Sequence, residues 1–76
     1  MTHLKVILSK HAEFRMAARN VSESEILSVI EQPDYKEKLA YGKEAFFKKG
    51  GNRRLKVVAV SRGDTINVIT VAVMKR

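Results

Sequence analysis

His11, Arg15 and Arg19 recur at intervals of four residues. On a helix that spacing confines them to about 80° of the circumference and makes one continuous basic stripe. Three cationic groups stacked on one face repel one another unless something anionic lies against them. His11 would sit in the first turn, where unsatisfied backbone N–H groups and the helix dipole favour a bound anion. An imidazole beside two guanidinium groups can hold a phosphate and move a proton, with His11 as general base. The plainer reading is a solvated helix face whose arginines pair with Glu44, Asp64 or an acid of a neighbouring helix.

A second set, Lys48, Lys49, Arg53, Arg54 and Lys56, surrounds Gly50-Gly51, with Tyr41, Phe46 and Phe47 close by in the sequence. Lysine and arginine neutralise phosphates, and exposed aromatic rings stack on unpaired bases. The pattern suits nucleic acid, although an acidic protein would also satisfy the charges. The plainer version is a solvated hairpin with one of the two phenylalanines in the core, since adjacent strand residues face opposite sides. Thr70 interrupts the apolar run Val68-Ile69-Thr70-Val71. Its hydroxyl is either a site group or a β-favouring residue on a half-buried face. Metal chemistry is not expected, because His3 and His11 are the two histidines, cysteine is absent, and no ligand set has a recognised spacing. Gly50-Gly51 is a turn signal and not a phosphate loop, so no cofactor is expected either.

The elements that must position these groups are legible in outline. Leu4–Leu8 could make a short strand. Ser9 is a plausible N-cap for a helix over about 10–19 rich in Ala, Met and Arg, which Asn20 can end in the left-handed conformation. Ser22 with Glu25 fits a capping box for a second helix, whose apolar face is Ile26, Leu27, Val29 and Ile30. Gln32-Pro33-Asp34 stops it, because the residue before proline disfavours the helical region. After Pro33 the apolar period becomes two. Tyr35 to Tyr41 is either a strand or an irregular approach to one. Ala45–Lys48, Leu55–Val60 and Thr65–Met74 are strands, joined by turns at Lys49–Asn52 and Arg62–Asp64. The expected fold is α+β: two N-terminal helices on one face of a three- or four-stranded antiparallel sheet, with a short strand possible at the N-terminus.

Seventy-six residues make one small domain, 1–76, with a thin core. A hydrophobic content of 45% argues against disorder. No apolar run approaches the roughly 18–20 residues of a membrane span. Lys5, Ser9, Lys10 and His11 interrupt any leader-like apolar stretch. The expectation is therefore a cytoplasmic protein with no membrane partner. Fifteen Lys and Arg face eight Asp and Glu, for a net charge of +7. Residues 1–34 hold four basic and five acidic side chains, and residues 35–76 hold eleven and three. The surplus belongs to the strands, and it favours a polyanionic ligand.

Ser9-Lys10-His11-Ala12, Arg15-Met16, Arg19, Val21-Ser22 and Pro33-Asp34, followed by Leu55-Lys56-Val57-Val58 and Val68-Ile69-Thr70-Val71, resemble the ordered features of the family designated domain of unknown function 4258. The likeness spans roughly residues 5–74. That family is thought to be similar in fold to the barnase/colicin/RelE-like group of small metal-independent ribonucleases, many of them toxins of bacterial toxin–antitoxin pairs. The resemblance puts Lys10-His11 on the family's Lys-His pair, Arg15 and Arg19 on its arginines, and Thr70 on the threonine of its final strand. Two residues after that threonine the family often has an aromatic followed by proline; here Ala72 and Val73 stand there.

The resemblance thus implies a toxin-type endoribonuclease, or a degenerate relative of one, with His11, Arg15, Arg19 and Thr70 as catalytic groups. Lys10, Lys48, Lys49, Arg53, Arg54 and Lys56 would hold RNA, free or on the ribosome, and an acidic antitoxin would be a second partner. The alternative is a non-catalytic module for nucleic acid or an acidic protein, which needs only the basic second part. A third possibility is an interaction subunit that pairs through an exposed sheet edge.

Overall fold

The structure, a computed structural model, describes residues 5–75. Strand β1 (Lys5–Leu8) leads into helices α1 (Lys10–Arg19) and α2 (Glu23–Glu31). Strand β2 (Tyr35–Lys38), a 3₁₀ turn (Ala40–Gly42), and strands β3 (Lys43–Gly50), β4 (Arg53–Arg62) and β5 (Thr65–Lys75) follow. The strands form one sheet in the order β1-β5-β4-β3-β2. β2 to β5 make an antiparallel meander, while β1 runs parallel to β5, with Lys5 opposite Thr65 and Leu8 opposite Val68.

The class remains α+β, but the expected three- or four-stranded antiparallel sheet is corrected to a five-stranded mixed one. The physical reason lies in β1. Its partner is 60 residues away, and parallel pairing needs no turn between the strands, so no local signal announces it. What fixes β1 is its alternation: Val6 and Leu8 pack against the core, while Lys5 and Ile7 point the other way. Leu4, read as the first residue of this strand, and His3 lie outside the described residues.

Local chemistry sets the helices as the residues require. The Ser9 hydroxyl accepts from the Ala12 backbone N–H and donates to the Ile69 carbonyl, so one side chain caps α1 and ties it to β5. Asn20 closes α1 at φ 58°, a conformation that asparagine tolerates. At α2 the Ser22 hydroxyl accepts from the Glu25 N–H, and the Glu25 carboxylate accepts from the Ser22 N–H, a complete capping box. Leu27, read as part of the apolar face of α2, is 37% exposed; Ile26, Val29 and Ile30 alone are buried.

Both helices cover the same face of the sheet. Ala12, Met16, Ile26, Val29 and Ile30 meet Phe46, Leu55, Val57, Ala59, Ile66, Val68 and Val71 in one core cluster. Burying a Val or Ile side chain is worth about 1.5–3 kcal/mol, so these contacts select the face. β5 reverses phase once. Val58 pairs with Thr70 and Ala59 with Val68, leaving Ile69 as a bulge. Without that extra residue, Val68 and Val71 could not both point into the core. Among the described residues no helix covers the other face of the sheet.

Candidate functional site

The α1 stripe forms as the spacing requires, beside the buried line of Ala12 and Met16. Lys10, His11 and Arg19 are exposed and Arg15 is half-buried. The Arg15 Nε is fully shielded and has no hydrogen-bond partner among the described residues. The pairs that the plainer reading allowed, from Arg15 or Arg19 to Glu44, Asp64 or an acid of α2, are not formed among the described residues. Among the described residues the one ion pair is Arg53–Glu25, at 2.7 Å. Thr70 does not join the stripe. It pairs with Val58, so the two share the bare face of the sheet, opposite the helices. The four residues assigned to catalysis are therefore divided between the two sides.

The basic cluster around Gly50-Gly51 is divided as well. Lys48 pairs with the core residue Leu55 and so lies on the helix side, where its Nζ donates to the Gln32 carbonyl at the end of α2. Arg53 is also on that side. Its guanidinium donates to the carbonyls of Arg19 and Asn20 and to Glu25 Oε2. It caps α1 and binds α2, which makes it a structural residue. The Glu25 carboxyl is held below its ordinary range, first by the Ser22 backbone N–H and then by Arg53. An open groove of about 880 Å³ lies here, lined by Arg19, Asn20, Arg53 and the Gly50–Asn52 turn, but its Arg53 is already engaged.

Lys49, Arg54 and Lys56 have the opposite phase and emerge on the bare face. By the same register Lys5, Lys43 and Arg62 join them, with Glu37 as the acid on the paired strands of that face. Ala45, Val58, Val60 and Ala72 form its apolar middle. Of the two adjacent phenylalanines, Phe46 enters the core at 4% exposure and Phe47 lies on the bare face. Tyr35 is directly opposite Phe47, with ring centroids 5.5 Å apart and planes at 43°. The Lys56 ammonium sits 5.7 Å from the Phe47 centroid, within cation–π range. Tyr41 stands apart in the 3₁₀ turn, at 93% exposure.

Tyr35, Phe47, Lys49, Arg54 and Met74 line a cleft of about 370 Å³ at this end of the face. Asp34 borders it and accepts a hydrogen bond from the Lys49 backbone N–H. Tyr35, Lys5, Lys43, Arg62 and Met74 are not among the candidates that the sequence offered. The signal that finds them is strand phase: once Val57 is known to be buried, every second residue away from that face follows. Ala72 pairs with Lys56, and Lys56 in turn with Phe47. Ala72, where the resemblance led to the expectation of an aromatic, is thus on this same surface, two strands from Phe47.

Fold and surface together define a small α+β protein whose sheet is covered by helices on one side and left basic and partly aromatic on the other. The family model described as Domain of unknown function (DUF4258) matches residues 8–73, and the chain belongs to that family. No curated protein and no solved structure matches it. Among the described residues no helix is long and apolar enough to cross a membrane.

Proposed function

We propose that the protein binds RNA on the bare face of its sheet. The observation that carries this reading is the charge of that face: Lys5, Lys43, Lys49, Arg54, Lys56 and Arg62 against Glu37. A surface of that sign attracts a polyanion, and its apolar middle with Tyr35 and Phe47 offers contacts to bases that a phosphate site alone would not. The test is a titration of labelled RNA followed by fluorescence anisotropy at low salt. Wild type should bind, and Lys49→Glu with Arg54→Glu should abolish binding while the fold persists by circular dichroism. Absence of binding by wild type would sink the proposal.

A second reading is metal-independent cleavage of the kind expected from the fold likeness between the DUF4258 family and barnase/colicin/RelE-like ribonucleases. The α1 stripe supports it, and Arg15 supports it further, since its shielded Nε has no partner among the described residues. His11 would take the proton of an RNA 2′-hydroxyl, and that oxygen would attack the adjacent phosphorus. The bond to the 5′-oxygen would break, the leaving oxygen would take a proton, and a 2′,3′-cyclic phosphate would remain. Arg15 and Arg19 would stabilise the charge on the phosphoryl oxygens. Thr70, on the other side of the sheet, takes no part in this version. Incubation of mixed RNA in EDTA should give fragments with wild type and none with His11→Ala; intact RNA in both removes the reading. An acidic antitoxin would find the same cationic surface.

A further inference from the structure

The cleft at the β2–β3 edge differs from the rest of the bare face. Here two aromatic rings and two cations, Lys49 and Arg54, converge, with Asp34 at the border. Tyr35 is 59% exposed, on a four-residue edge strand whose residues are all exposed. The Tyr35 ring, tilted against Phe47 at 5.5 Å, leaves ring surface open to solvent, whereas Phe47 already has Lys56 over it. Lys49 and Arg54 pair directly across β3 and β4 and flank the rings on the same side. Met74, opposite Arg54 on β5, extends the apolar floor. A volume of about 370 Å³ is within the range of small-ligand sites, roughly 300–1,000 Å³.

We infer that this cleft holds an unpaired base, which makes the protein a reader of single-stranded RNA in preference to duplex. The inference rests on the RNA-binding reading above and narrows its substrate class. A base in a duplex is stacked on both faces and cannot reach an aromatic platform, while a single strand can splay one out. The exposed ring of Tyr35 then takes the base, with Phe47 supporting it from beside, and Lys49 and Arg54 take the flanking phosphates. Lys56 is already drawn over the Phe47 ring, so it holds that ring's outer side and serves the backbone of either RNA form.

The test compares one short labelled oligoribonucleotide, free and annealed to its complement, by anisotropy. Wild type should bind the single strand at least about tenfold more tightly. Tyr35→Ala, a change at an exposed position, should weaken single-strand binding by about 5- to 100-fold, as lost base stacking does, and so erase most of the preference over duplex. Tyr35→Phe should restore it. Phe47→Ala should act in the same direction wherever circular dichroism shows it folded. Equal affinity for the two forms, or a Tyr35→Ala variant that binds the single strand as wild type does, overturns the inference while leaving RNA binding intact. Failure to bind either form overturns the RNA-binding reading itself.

Discussion

Arg53 and Arg54 are neighbours with opposite duties, because successive strand residues point to opposite faces. Arg53 satisfies two carbonyls at the end of α1 and pairs with Glu25. Arg53→Ala should therefore lower stability by about 1–2 kcal/mol in urea unfolding, with its exposure discounted, and leave RNA affinity nearly unchanged. Arg54→Ala should do the reverse, weakening RNA binding at unchanged stability. Glu25 adds a pH dependence. Its folded-state value lies below the ordinary 4.5, so it contributes stability above that value which is lost as the pH falls through the folded one. Urea midpoints of wild type should decline as the pH drops below about 4.5, and Glu25→Gln should decline less steeply over that interval. Residue type alone did not separate the two arginines. The sequence shows five cations around a turn; only the phase set by Leu55 and Val57 in the core tells which of them are free to meet a ligand.

At the scale of elements, the helix ends were the most legible features. Ser9, Asn20, Ser22 and Glu25 act through backbone groups within a few residues, so their signals are local and occupy the expected positions. Strand order was less legible, because pairing joins residues far apart and β1 carries no turn linking it to β5. The bulge at Ile69 has no local signal either; it follows from the need to bury both Val68 and Val71. That long-range demand leaves a testable asymmetry between the two caps. Ser9→Ala removes a cap and also the bond to the Ile69 carbonyl, and should cost about 1.5–2.5 kcal/mol. Ser22→Ala removes an exposed cap and should cost about 1 kcal/mol. Denaturant midpoints of the two variants would settle the order.

For the whole molecule, the uneven charge along the chain becomes an uneven charge in space. The surplus in residues 35–76 was readable from composition, but its division between two faces was not, since Lys48 and Arg53 are spent on the helix side. If about four cations meet phosphates, log affinity for single-stranded RNA should fall with log salt at a slope near −3, about −0.7 per contact. Lys56→Ala should make the slope shallower by roughly that increment, whereas Arg53→Ala should not. The relative placement of His11 and Thr70 was the least legible part, because their chain order says nothing about which side of a sheet each occupies. The pairing of β1 with β5 has a last consequence, in kinetics. Closing a contact across 60 residues is entropically costly, so this ladder belongs late in folding, after the β3–β4–β5 meander and the helices have formed. Interactions that form after the rate-limiting barrier retard escape from the native state without hastening arrival. Leu8→Ala should consequently steepen nothing on the refolding arm of a chevron plot and raise the unfolding rate, making β1 the latch that sets the lifetime of the folded molecule.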